Sequence, residues 1–143
     1  MWRALVTVLL SGALANCTKA PPEDPAAASC IDEKLVASLF KEIRRKGTWN
    51  LEEPLLWAYY FEAREQAPLI SLRDSLERSG YQFVELLTPD ERAGAYVLHV
   101  SRVEKHSVES LNARNRKLCT LAKKLKVDSY KGMDVGPVLA ERR

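Results

Sequence analysis

At 143 residues the chain has room for one domain of ordinary size with extensions at its ends. An apolar share of 46% is enough for a packed core and excludes disorder throughout. The formal net charge of +3 is too slight a bias to argue for a nucleic-acid partner on charge alone.

The first segment reads as an address rather than as fold. Arg3 precedes an apolar run over residues 4–15, ALVTVLLSGALA, which has the length of a secretory hydrophobic region. It falls short of the roughly 20 residues that a membrane-spanning helix needs. Two processing sites compete. Leu14-Ala15-Asn16-Cys17 resembles a bacterial lipoprotein box, which would put a lipid on Cys17 and anchor the protein to a membrane. Ala13-Leu14-Ala15 fits ordinary signal cleavage after Ala15. Both predict export to the periplasm. The opposing expectation is a cytoplasmic protein whose first residues form a buried helix. The predicted organisation is then a signal over residues 1–17, a Pro/Ala-rich tether over 18–29, a domain over 30–136 and a tail over 137–143.

The domain opens with Ser29 and Asp32 at the spacing of a helical capping box. Ile31, Leu35, Val36, Leu39, Phe40 and Ile43 then fall on one helical face, and Gly47 ends the helix. Residues 55–61, LLWAYYF, read as a buried strand. Residues 67–79 read as a helix with Leu69, Leu72 and Leu76 inward, followed by strands over 81–87 and 95–101. A long amphipathic helix begins at Ser107, with Val108, Leu111, Leu118, Leu121, Ala122 and Leu125 on its apolar stripe. Val127 and Tyr130 start a short last strand. After the leading helix the order is β-α-β-β-α-β. It predicts an α+β, ferredoxin-like fold, a four-stranded antiparallel sheet with two helices on one face.

Chemistry is sparse. His99 and His106 are the only histidines, and no Ser/His/Asp set, glycine-rich phosphate loop or H-E-x-x-H motif accompanies them. Without C-x-x-C spacing a zinc site is not expected, and neither a cofactor nor an enzymatic activity is predicted. His99 falls on the strand face opposite Tyr96, Leu98 and Val100, and His106 falls in the turn before the long helix, where solvation is the simple expectation. If Cys17 carries lipid, Cys30 and Cys119 remain. They would pair in an oxidising compartment or stand as two thiols, and the second is the simpler reading because Cys119 lies at the edge of the apolar stripe.

Alternation puts Trp57, Tyr59 and Phe61 on one side of the first strand and Leu56, Ala58 and Tyr60 on the other. Trp57, Tyr59 and Phe61, with Tyr130 on the last strand and Lys123 and Lys124 on the basic face of the long helix, are the candidate protein-binding residues. Were the aromatic set exposed, bases could stack on it. The segment AGAYVLHV lacks the basic and aromatic signature of an RNA-recognition strand, so nucleic acid is not the expected partner.

LCTLAKKLKVD at residues 118–128, followed by Tyr130 and Gly132, resembles the end of the family called regulator of ribonuclease E activity B. In that family a Leu- and Ala-rich helix runs into a Tyr-Asp-Gly-Trp strand; Lys131 and Met133 stand here at the Asp and Trp positions. WAYYF after the Gly47 loop and SLERSGYQFVELL at residues 75–87 extend the likeness over residues 35–135. The resemblance implies a ferredoxin-like domain that inhibits ribonuclease E by binding it, with no chemistry of its own. Joined to the apparent signal, it leads to an expectation of a regulatory protein-binding domain on an exported, lipid-anchored protein. The alternatives are a cytoplasmic inhibitor of ribonuclease E and a periplasmic immunity-type inhibitor of a toxin.

Overall fold

The computed structural model describes residues 29–89 and 94–138. The signal, Cys17, nearly all of the tether and most of the tail lie outside the described residues. The elements are α1 (Glu33–Lys46), β1 (Leu55–Ala63), α2 (Gln66–Arg78), β2 (Gln82–Leu87), β3 (Tyr96–Glu104), α3 (Val108–Lys124) and β4 (Ser129–Gly136). The strands form one sheet in the order β2-β3-β1-β4, and every neighbouring pair is antiparallel. This is the ferredoxin-like arrangement preceded by a helix.

The ends of the helices follow local chemistry. Asp32, not Ser29, caps α1: its carboxylate accepts from the Lys34 N–H at 2.9 Å, while Ser29 Oγ accepts from the Ile31 N–H just upstream. The helix therefore starts three residues later than the Ser29 spacing implies. Leu35 consequently points to solvent, and Ile31 packs into the core from outside the helix. Gly47 closes α1 in the left-handed region at φ 61°, where a side chain would be strained. At α3, Ser107 caps through its hydroxyl, and Ser110 returns a side-chain bond to the Ser107 N–H.

β1 lies inside the sheet, and its residues alternate strictly between buried and half-buried. Trp57, Tyr59 and Phe61 are at most 1% exposed, because they occupy the face that the helices cover. Phe40 of α1 stacks on Trp57 at 5.9 Å, and Tyr130 stacks on Phe61 at 4.9 Å. Burial of such rings contributes about 1.5–3 kcal/mol each. The expectation that Trp57, Tyr59, Phe61 and Tyr130 form a contact surface is thus corrected: they are core. Both faces of β1 carry apolar side chains, and the bulkier set is the one the helices need.

β3 runs three residues beyond the predicted end, to Glu104. Its helix-facing residues continue from Leu98 and Val100 to Arg102 and Glu104, so two charged side chains enter the space beneath the helices. Cys30 and Cys119 form a disulfide with Cα atoms 5.8 Å apart, rather than standing as separate thiols. α1 packs on α3 and brings the two together; the Glu33–Arg116 ion pair at 2.8 Å lies on the same seam.

Candidate functional site

The helix-facing end of β3 holds a polar cluster. Glu104, whose side chain is 13% exposed, accepts from the Tyr59 hydroxyl at 2.8 Å and from Arg114 of α3 at 2.7 Å. His106 Nε2 lies 3.2 Å from the same carboxylate and 3.1 Å from the Tyr59 oxygen. Since the Tyr59 proton goes to Glu104, its oxygen is free to accept from His106. Nδ1 of His106 meets Ser110 Oγ at 2.9 Å, and the ring sits edge-on against Trp57. His106 is therefore buried and fully engaged, not solvated, because α3 starts immediately after it and folds its capping Ser110 over the ring.

Electrostatics in the cluster favour resting charge states. Burial alone would raise the Glu104 carboxyl, but bonds from His106, Arg114 and Tyr59 outweigh it and bring the pKa from 4.5 down to about 2. Burial and the neighbouring Glu104 charge push the Tyr59 hydroxyl well above its ordinary value. A carboxylate fixed as an anion and a phenol fixed as neutral are not poised for proton transfer near neutral pH. What the cluster does is lock the end of β3 to α3.

Among the described residues no helix covers the other face of the sheet. Alternation and register bring Leu56, Ala58 and Tyr60 of β1 there beside Val103, Ser101 and His99 of β3. Tyr60 and His99 stack at 4.5 Å, and His99 Nδ1 lies 3.5 Å from Glu85 of β2. Burial, then Asp134 and Glu85, raise the Tyr60 hydroxyl. Toward one end of this face Val103 is 49% exposed, toward the other Leu87 is 48% exposed, and Val84 at the β2 bulge is 47% exposed. Glu62 pairs with Lys131 at 3.6 Å toward β4. The face thus carries exposed apolar side chains toward its two ends, Val103 at one and Leu87 at the other, with the Tyr60–His99–Glu85 group between them.

Of the predicted binding residues, only Lys123 and Lys124 are exposed; they end α3. They lie on a different element from the open sheet face, so the structure does not join them to it. Sequence reasoning missed Asn115, which is fully buried and accepts from the Tyr130 hydroxyl at 2.7 Å. Its position four residues after Leu111 and three before Leu118 placed it on the apolar stripe, and that spacing was the available signal. Among the described residues no group of three or more His, Cys, Asp or Glu side chains could hold a metal ion.

Fold and surface together define a small α+β module, sealed by helices on one face of its sheet and, among the described residues, uncovered on the other. The chain belongs to the family described as regulator of ribonuclease activity B, whose model matches residues 36–135. No curated protein matches it. The family is one of regulators, and it assigns the chain a regulatory, protein-binding domain.

Proposed function

We propose that this chain is a non-enzymatic regulator on an exported, lipid-anchored protein, and that it grips a protein partner with the open face of its sheet. The observation that carries the reading is the exposure of Leu87 and Val103, on either side of the Tyr60–His99 stack, on the sheet face that no helix among the described residues covers. Single exposed apolar residues are ordinary; what supports the reading is that several of them share the one uncovered sheet face with a stacked Tyr–His pair. Two features support the address. The sequence before Cys17 has the form of a lipoprotein signal, and the Cys30–Cys119 bridge suits an oxidising compartment.

A second reading, a cytoplasmic inhibitor of ribonuclease E, is favoured by the family match. Fractionation of cells expressing the full chain, with and without Cys17→Ala, separates the two. The first reading expects a membrane-bound form whose mass carries lipid, released to soluble fractions by the substitution. A soluble cytoplasmic protein with an intact N-terminus would leave the second.

A further inference from the structure

Strand register lays out, row by row, the sheet face that no helix among the described residues covers. One row holds Glu85, His99 and Tyr60, with Gly132 beside Tyr60 in β4. The next row toward Val103 holds Gln82, Ser101, Ala58 and Asp134, and the row on the other side holds Leu87, Val97, Glu62 and Ser129. Three carboxylates therefore share the face, and of these only Glu62 is paired with a lysine or arginine, Lys131 at 3.6 Å. We propose that this face takes an extended basic segment of the partner polypeptide, crossing the strands with one arginine at Glu85 and a second at Asp134. The inference rests on the sheet-face reading above and adds the chemistry of the segment that the face would hold.

Carboxylates on an open sheet face are stabilised by opposite charges across the neighbouring strand. Glu62 and Lys131 follow that pattern, and Glu85 and Asp134 do not. Glu85 meets only His99 Nδ1, at 3.5 Å, and its side chain is 49% exposed. Asp134 is also exposed, and one of its oxygens accepts from the Val135 N–H at 2.8 Å. Both charges act at one ring: the Tyr60 hydroxyl, raised first by burial, is raised further by Asp134 and Glu85. The Tyr60 and His99 rings, stacked at 4.5 Å, lie between the two carboxylates.

Spacing and charge select the segment. Glu85 and Asp134 stand on the two edge strands, three intervals apart, which is about 14 Å at the usual inter-strand distance. An extended chain rises about 3.4 Å per residue and turns alternate side chains to one side, so residues four apart cover about 14 Å on one face. The residue midway between them falls over the Tyr60–His99 rings, where an aliphatic side chain fits. A guanidinium suits the two ends better than an ammonium, because it is less strongly hydrated and can give a carboxylate two parallel N–H bonds. Leu87 and Val103 extend the apolar surface to either side of the crossing. The same two carboxylates repel a phosphate backbone or an anionic bilayer, and so fix the sign of the partner.

The test is an NMR titration of the purified full chain with acetyl-Arg-Thr-Leu-Thr-Arg-amide, and with the same peptide carrying citrulline, a neutral isostere, in place of both arginines. Amide shifts should concentrate at Tyr60, Glu85, His99 and Asp134. Two exposed charge contacts predict that citrulline weakens binding about tenfold, and that Glu85→Gln and Asp134→Asn each weaken the arginine peptide severalfold with the fold intact. Added salt should weaken the arginine peptide and leave the citrulline peptide unchanged. Shifts confined to other surfaces, or no binding at millimolar peptide, would overturn the proposal. The citrulline peptide binding as tightly through these same residues would also overturn it, yet would leave the sheet face as a contact without charge selection. The inference and the reading beneath it can therefore fail separately.

Discussion

The Tyr59 hydroxyl donates to the Glu104 carboxylate at 2.8 Å although the two residues are 45 apart in sequence, and this bond crosses the driest side of the sheet. Tyr59 has no exposed surface, so the bond is not shared with bulk water. His106 and Arg114 reach the same carboxylate, and the four side chains tie β1, β3 and the start of α3 together. Such a cluster is costly to leave half made.

Removing the charge should therefore show in the pH dependence of stability. The folded-state pKa of Glu104 lies below its ordinary value of 4.5, at about 2. Its contribution is thus complete above about pH 4.5 and is lost as pH falls toward 2. Glu104→Gln should cost on the order of 2–3 kcal/mol at pH 7, with the gap to wild type closing as pH falls below 4.5. Urea unfolding at a series of pH values measures this. A gap that is the same at pH 7 and pH 2.5 would contradict it.

The Asn115–Tyr130 bond makes a second prediction. Tyr130→Phe leaves the buried Asn115 oxygen without its donor and should cost about 1–3 kcal/mol. Combining it with Asn115→Leu should cost less than the sum of the single changes, because no polar atom is then stranded. A double-mutant cycle on thermal unfolding reads the coupling directly, and strict additivity would count against the bond.

The Cys30–Cys119 bridge closes a loop with a sequence separation of 89. A chain-entropy treatment of a loop this long gives a stabilisation of about 4–5 kcal/mol. Unfolding midpoints with and without reductant should differ accordingly, and the count of free thiols in denaturant should rise on reduction. An unchanged count would mean that the bridge does not form.

How far the sequence reveals all this differs from element to element. The strands and helices are legible because their apolar residues keep periods of two and three to four, and the order of elements then fixes the topology. Which face of β1 is inside is not legible. Trp57, Tyr59 and Phe61 alternate with Leu56, Ala58 and Tyr60, and both sets are apolar. Only the packing of Phe40 and the helices breaks the tie. His106 looked like a loop residue because its partners Tyr59 and Glu104 meet it only after β1 and β3 pair. Asp32 displaced Ser29 as the cap of α1, because both residue types can cap and their spacing alone does not choose between them. Arg102 and Arg114 sit on separate elements, and nothing in their local sequence announces that both lie over Tyr81.

The most direct test of the sheet-face account is the dissociation constant of a partner captured from envelope fractions, measured for wild type and for Leu87→Asp combined with Val103→Asp. These exposed positions should change stability by no more than about 0.5 kcal/mol each. Binding should weaken at least about thirtyfold, as expected when apolar contacts worth about 2 kcal/mol or more are lost. Unchanged affinity in that variant, with loss instead on Lys123→Glu and Lys124→Glu, would contradict the account and move the contact to the end of α3.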